Sequence, residues 1–244
     1  MHESHAPGRH RKIEEGSPEV ALTTNPQLAT IIKGLSSTTP NWNALLKTLS
    51  EKQLTRMKEG KKNGSKNGDT LGQLAETHVS LTLEMLSLEH PDLIVHPIPS
   101  GTETEDYVFR QYGHNYIAHN RRTGAAHIEY DALTLVCGLP VIWEVKLGYS
   151  FVEALKTTRI SNISKPLIQH YHNSAIGYVV ITPKDSLDSS SKSQEEFTNK
   201  GGVMVTIPVT KTEFTETLQQ ASIVSKGTIR DKPSLQPRRR PIII

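Results

Sequence analysis

The chain has little of what marks a disulfide scaffold or a membrane protein. A single cysteine, Cys137, in 244 residues excludes an internal disulfide framework and argues against a cysteine-built zinc site. No stretch approaches the roughly 18 consecutive apolar residues of a membrane span, and the first residues lack the apolar core of a secretory signal. Aromatic residues are scarce at 5%. Charge of one sign is not in large excess either: 28 basic against 25 acidic residues leave a formal +3. A nucleic-acid surface therefore has to come from local clustering of basic residues rather than from a global field. The expectation is a soluble protein with no membrane contact, cytoplasmic or nucleoid-associated, with a nuclear or exported location left open. The length suits one core domain with a smaller appendage.

What is present centres on His127 to Tyr149, HIEYDALTLVCGLPVIWEVKLGY. Two β-branched apolar runs, Ile128 to Val136 and Val141 to Leu147, flank Cys137-Gly138-Leu139-Pro140, a combination that predicts a β-hairpin. Period-two alternation sets Val141, Trp143, Val145 and Leu147 on one face and Ile142, Glu144 and Lys146 on the other. With the turn centred between Gly138 and Leu139, Asp131 falls opposite Lys146 and Leu133 opposite Glu144. Asp131 and Glu144 are then diagonal neighbours, roughly 7–8 Å apart at the backbone.

Two carboxylates and an ammonium on one face of so apolar a hairpin are costly unless paired or metal-bound. A divalent cation is one reason to keep them, since carboxylate oxygens suit Mg²⁺ and the ion meets its substrate through phosphate oxygens. Lys146 beside it would orient an attacking water and steady charge developing on a phosphate. The competing reading is a solvated edge hairpin in which both acids pair with Lys146.

Asp131 in EYDALTL, Glu144 and Lys146 in WEVK, and Glu76 in the helical segment GQLAETH together resemble the PD-(D/E)XK nuclease superfamily, with its restriction-endonuclease-like fold. The pattern is nearest to resolvase-like or toxin and defence branches, and Tyr130 stands where many members carry Pro. The similarity covers about Asp69 to Pro208. It implies an α/β fold, a restriction-endonuclease-like core with a central mixed β-sheet flanked by helices, here with an N-terminal helical extension. It also implies an Mg²⁺-dependent endonuclease, with Mn²⁺ as substitute, that hydrolyses DNA and leaves a 5′-phosphate and a 3′-hydroxyl. Asp131, Glu144 and the Val145 carbonyl would hold the metal, Lys146 would position the water, and Glu76 would assist or bind a second cation. Two alternatives stay open: a non-catalytic nucleic-acid-binding or assembly module of the same fold, and an RNA-cleaving nuclease.

Around this centre the chain divides into a polar, disordered N-terminus (1–18), a helical extension with a basic linker (19–68), the nuclease-like core (69–225) and a basic, flexible tail (226–244). In the extension, Pro26 to Leu35 predicts a short helix. Thr39-Pro40 opens a second, and Ser50-Glu51-Lys52-Gln53 looks like the capping box of a third. These helices cover the core, form a homodimer or partner-protein face, or meet substrate. The linker Lys58 to Asp69 leads into a helix ending near Glu89, before Pro91. Strands are expected over Asp92 to Pro97, in the region Tyr107 to His119 broken at Gly113, over Gly177 to Thr182 and over Val203 to Val209. Beyond Lys146 a second capping box, Ser150 to Glu153, predicts a helix carrying Lys156 and Arg159, with Lys165 following and Pro166 restarting a segment that holds Gln169. These four, with Arg121 and Arg122 in the turn before the hairpin, are the candidate nucleic-acid contacts.

Overall fold

The computed structural model describes residues 25–48, 65–147, 157–172, 175–185, 194–195, 198 and 202–217. The N-terminal segment, the third helical segment, the first part of the lysine-rich linker, the Ser150 capping box with Lys156, most of the serine-rich stretch after Lys184 and the basic tail lie outside the described residues. The elements run α1 (Pro26–Ser37), α2 (Trp42–Thr48), α3 (Ser65–Glu89), β1 (Leu93–Val95), β2 (Tyr107–Tyr112), β3 (Asn115–Asn120), β4 (Ala126–Tyr130), β5 (Ala132–Val136), β6 (Leu139–Val145), α4 (Thr157–Tyr171), β7 (Gly177–Pro183) and β8 (Val203–Ile207). The architecture is mixed α/β.

A five-stranded sheet of order β1-β5-β6-β7-β8 carries antiparallel pairs on one side of β6 and parallel pairs on the other. The antiparallel β5–β6 pair needs only a tight turn, whereas the parallel β6–β7 pair needs a crossover, which α4 supplies. All seven residues of β6 are buried, so the charged hairpin is central rather than a solvated edge. Val141, Trp143 and Val145 face a core shared with Leu28, Ile31 and Leu35 of α1 and Leu74 and Val79 of α3. Ile142 faces a second core with Leu133, Tyr178 and Val180, closed by Ile163 and Leu167 of α4 and by Phe109 and Tyr116 of a separate three-stranded sheet, β2-β3-β4.

The N-terminal helices thus cover one face of the sheet. Asn25 caps α1 by accepting from Gln27 N and Leu28 N at 3.0 and 3.1 Å, with Pro26 in the first turn where its missing N–H costs nothing. Gly34 allows close approach to α3, since an added Cβ would sit 2.8 Å from Leu86 Cδ2. The second helix starts at Trp42 behind Asn41, whose Oδ1 accepts from Ala44 N. Trp42 then meets Phe214 edge-on at 5.2 Å.

Four sequence-based expectations need correction. The hairpin turn is Cys137-Gly138, both at positive φ (50° and 79°), as a two-residue turn that follows strand twist requires. It lies one residue earlier than expected because Leu139 and Pro140 already pair with Val136 and Leu135. The register therefore moves by two, and one further step sets Asp131 across from Glu144 instead of Lys146. A shift of two keeps every side chain on its expected face. Secondly, the run Ile128 to Val136 is not one strand: it breaks at Asp131, passing from the three-stranded sheet to the five-stranded one. Thirdly, Pro166 does not restart a segment but lies inside α4, where it lacks the N–H that would bond the Asn162 carbonyl. The third helix also begins at Ser65, inside the expected linker.

Burial on α3 carries a pH signature. His78 is 3% exposed, its Nε2 has no hydrogen-bond partner among the described residues, and desolvation lowers its pKa to about 4, opposed by a bond to the Thr38 backbone. The unfolded chain binds this proton near pH 6.5, so stability present above that pH is lost as pH falls towards 4. The loss amounts to about 3 kcal/mol at 1.36 kcal/mol per unit. Asp131, whose folded pKa is raised, contributes in the opposite sense over 3.8 to about 7. Denaturant unfolding of wild type and His78→Gln between pH 7 and 4 separates the two. The variant is expected to lose less stability by about that amount, and parallel curves would refute the assignment.

Candidate active site

The site forms where three elements end together. Glu144, the penultimate residue of β6, is 1% exposed and shares its face with Ile142. Lys146 follows it past the strand end and folds its ammonium back, 2.7 Å from Glu144 Oε1 and 3.5 Å from Asp131 Oδ2. Asp131 occupies the kink between β4 and β5. With no ladder partner there, its Oδ2 accepts the Val145 N–H at 2.7 Å, so the carboxylate takes the place of a backbone acceptor where β5 has ended. A strand residue presents its N–H and C=O to the same side. The Val145 carbonyl therefore faces the Asp131 gap, while Lys146 N turns to Ile181 O of β7.

From α4, Arg159 Nη2 reaches Glu144 Oε1 at 2.5 Å. The helix is pinned one turn further on, where the Tyr130 hydroxyl donates to the Ile163 carbonyl at 2.8 Å. From α3, Glu76 approaches the start of β3, where Asn115 Nδ2 donates to its Oε2 at 3.4 Å and to Glu129 Oε1 at 3.1 Å.

The electrostatics follow from burying three acids against two cations. Desolvation pushes the Asp131 carboxyl up to about 7; Lys146 opposes this, and the neighbouring Glu144 and Glu76 add to it. Glu76 is also raised by burial, with the Asn115 bond and Lys146 opposing. Burial disfavours the Lys146 charge, yet Asp131 and Glu144 outweigh it and hold its pKa above the ordinary lysine value. Arg159 behaves likewise through Glu144 and the Tyr178 hydroxyl. Glu144 Oε2 is buried without a hydrogen-bond partner among the described residues, an arrangement that costs free energy until something positive meets that oxygen.

Among the described residues no group of three or more His, Cys, Asp or Glu side chains could hold a metal ion. The oxygen-bearing groups nearest the Lys146 ammonium are the Glu144 and Asp131 carboxylates, with the Val145 carbonyl next in the chain. Two carboxylates and a carbonyl suit Mg²⁺, which binds through one or two carboxylates and keeps most of its hydration.

The remaining candidates are scattered. Arg121 and Arg122 sit in the β3–β4 turn, about 17 Å along β4 from Asp131 at ~3.3 Å per residue. Arg121 there pairs with Glu103 at 2.8 Å. Gln169 is committed to the loop before β2: its Oε1 accepts from Thr104 Oγ1 and Asp106 N, and its Nε2 donates to Asp106 Oδ2 at 2.7 Å. Lys165 is exposed on α4, and Lys156 lies outside the described residues. Sequence reasoning missed Asn115, Glu129 and Tyr178. Only Glu129 carried a signal, two residues before Asp131 on the same alternating run.

No protein-family model matches the chain, and no curated protein matches it. Among solved structures, the crystal structure of protein VC1899 from Vibrio cholerae is similar over 86% of this chain and 53% of that one, at 14% identity and a TM-score of 0.33. The chain spans about half the length of that protein, and so slight a likeness carries no argument. No described helix is long and apolar enough to cross a membrane.

Proposed function

We propose that the protein is a divalent-cation-dependent deoxyribonuclease with a restriction-endonuclease-like core, cutting DNA internally by phosphodiester hydrolysis. The observation that carries this reading is the meeting of Asp131, Glu144 and Lys146 at the end of β6, with Lys146 Nζ 2.7 Å from one acid and 3.5 Å from the other. Asp131, Glu144 and the Val145 carbonyl would hold Mg²⁺ or Mn²⁺, and Glu76 stands behind them as an outer support or a ligand to a second ion. When bound, the cation polarises a phosphate oxygen and makes water a better nucleophile at neutral pH.

The chain's own residues supply the rest. Asp131 is fixed by the Val145 N–H, so its orientation is set before any ligand arrives. Lys146, held charged by its two acids, orients the attacking water and stabilises negative charge on the phosphate as it develops. Arg159, 44% exposed at its side chain and held by Glu144 and the Tyr178 hydroxyl, is the cation at this edge that a backbone phosphate would meet.

Incubation of the full chain with linear, supercoiled, branched and single-stranded DNA, in Mg²⁺, Mn²⁺ or EDTA, tests the reading. Cleavage with either metal and none in EDTA is expected; cleavage that ignores EDTA would refute it. One observation favours a second reading, a nucleic-acid-binding module without catalysis: Lys146 and Arg159 already neutralise Glu144 Oε1. DNA binding with no cleavage in any metal would select that reading.

A further inference from the structure

We propose that the cavity between β4 and α4 is a nucleobase subsite, receiving one unstacked base of the strand whose phosphate lies against Arg159 and the carboxylates. The location of that phosphate rests on the nuclease reading above. The cavity measures about 340 Å³ and is lined by His127, Ile128, Glu129, Arg159, Asn162 and Ile163. That is the low end of the roughly 300–1,000 Å³ of ligand pockets, so it accommodates a single nucleoside and not a duplex.

Arg159 belongs to both sites, with Nη2 on Glu144 Oε1 at 2.5 Å and the same side chain forming a cavity wall. A nucleotide whose phosphate meets this guanidinium therefore has its base directed along α4 into the cavity. There His127 offers an exposed flat ring, held by stacking on Tyr107 at 5.3 Å with 26° between the planes. A ring of this kind takes any base face, while Ile128 and Ile163 supply apolar walls.

The base edge would meet polar groups of defined character. Asn162 brings a side-chain amide, and its backbone carbonyl lacks the helical donor that Pro166 cannot provide. Glu129 lines the same cavity, where Asn115 Nδ2 already donates to its Oε1 at 3.1 Å, and its carboxylate is acceptor-only when ionised. Both features favour a base bearing an exocyclic amine, such as cytosine, over thymine, which has none. Extruding a base from duplex costs a few kcal/mol, and least from a strand already unpaired. The substrate class that follows is single-stranded or locally unpaired DNA, as found at branches and loops.

Fluorescence anisotropy in EDTA, with the full chain and labelled oligo-dC, oligo-dT and a duplex of equal length, tests the subsite without any cleavage. Wild type is expected to bind oligo-dC tightest. His127→Ala and Asn162→Ala should each weaken that binding by about 5-fold or more, and Glu129→Ala should erase the preference for dC over dT. These side chains are exposed, and circular dichroism checks that each variant is folded. Equal affinity for the three probes, or variants that bind like wild type, would overturn the subsite. Absence of Mg²⁺-dependent cleavage with the binding pattern intact would count against the nuclease reading alone, and cleavage with no dependence on base or pairing against the subsite alone.

Discussion

Glu144→Ala and Asp131→Ala are each expected to cut Mg²⁺-dependent DNA cleavage by roughly 10³-fold, about 4 kcal/mol of transition-state stabilisation, while DNA binding stays the same or tightens. The two effects separate because these acids face the phosphate: removing one loses a metal ligand but also a repulsive charge. Each site has its own structural consequence. Glu144 is 1% exposed and pairs with both Lys146 and Arg159. Those cations are 18% and 44% exposed at their side chains, so they can hydrate once it is gone. Asp131 also holds the Val145 N–H at 2.7 Å, so Asp131→Asn, which keeps an acceptor oxygen, separates lost chemistry from a lost backbone bond. Cleavage at wild-type rate by a folded Glu144→Gln or Asp131→Asn protein would refute the assignment.

The second large effect is expected at Lys146. Lys146→Ala should lower turnover by about 10²–10³-fold, the usual range for removing one preorganised group that stabilises charge developing in the transition state, with metal affinity little altered. Its structural effect runs in an informative direction. Breaking a buried ion pair by removing one partner costs about 3–5 kcal/mol, because Asp131 and Glu144 are left facing each other. A cation bound between them relieves that repulsion, and a ligand that binds only the folded state raises stability by mass action. The variant should therefore melt lower than wild type without metal and gain more than wild type from Mn²⁺. Equal Mn²⁺-induced shifts in melting temperature would mean that the ammonium and the metal do not share these acids.

Much of this site was legible in the chain because β-strand chemistry has a period of two. That period assigned Trp143 and Val145 to one core and Ile142 and Glu144 to the other face, and a register error of two residues left both assignments intact. The turn was misread because Pro140 looks like loop chemistry, whereas the local requirement was two residues at positive φ, met by Cys137 and Gly138. The break at Asp131 was not legible either: a continuous β-branched run does not record that the chain changes sheets. Long-range partners left almost no trace. Arg159 was foreseen only as a phosphate contact, and its bond to Glu144 depends on how α4 crosses the sheet. Asn115 reaches Glu76 and Glu129 from the start of β3, 39 residues beyond the former, a separation that no local pattern encodes.

Manganese uptake followed by electron paramagnetic resonance tests most directly whether the acids at the end of β6 share a cation. The full-length protein should quench the aqueous Mn²⁺ signal saturably, competed by Mg²⁺, and the folded double variant Asp131→Asn, Glu144→Gln should leave it unquenched. Identical titrations for the two proteins would show that these carboxylates bind no metal.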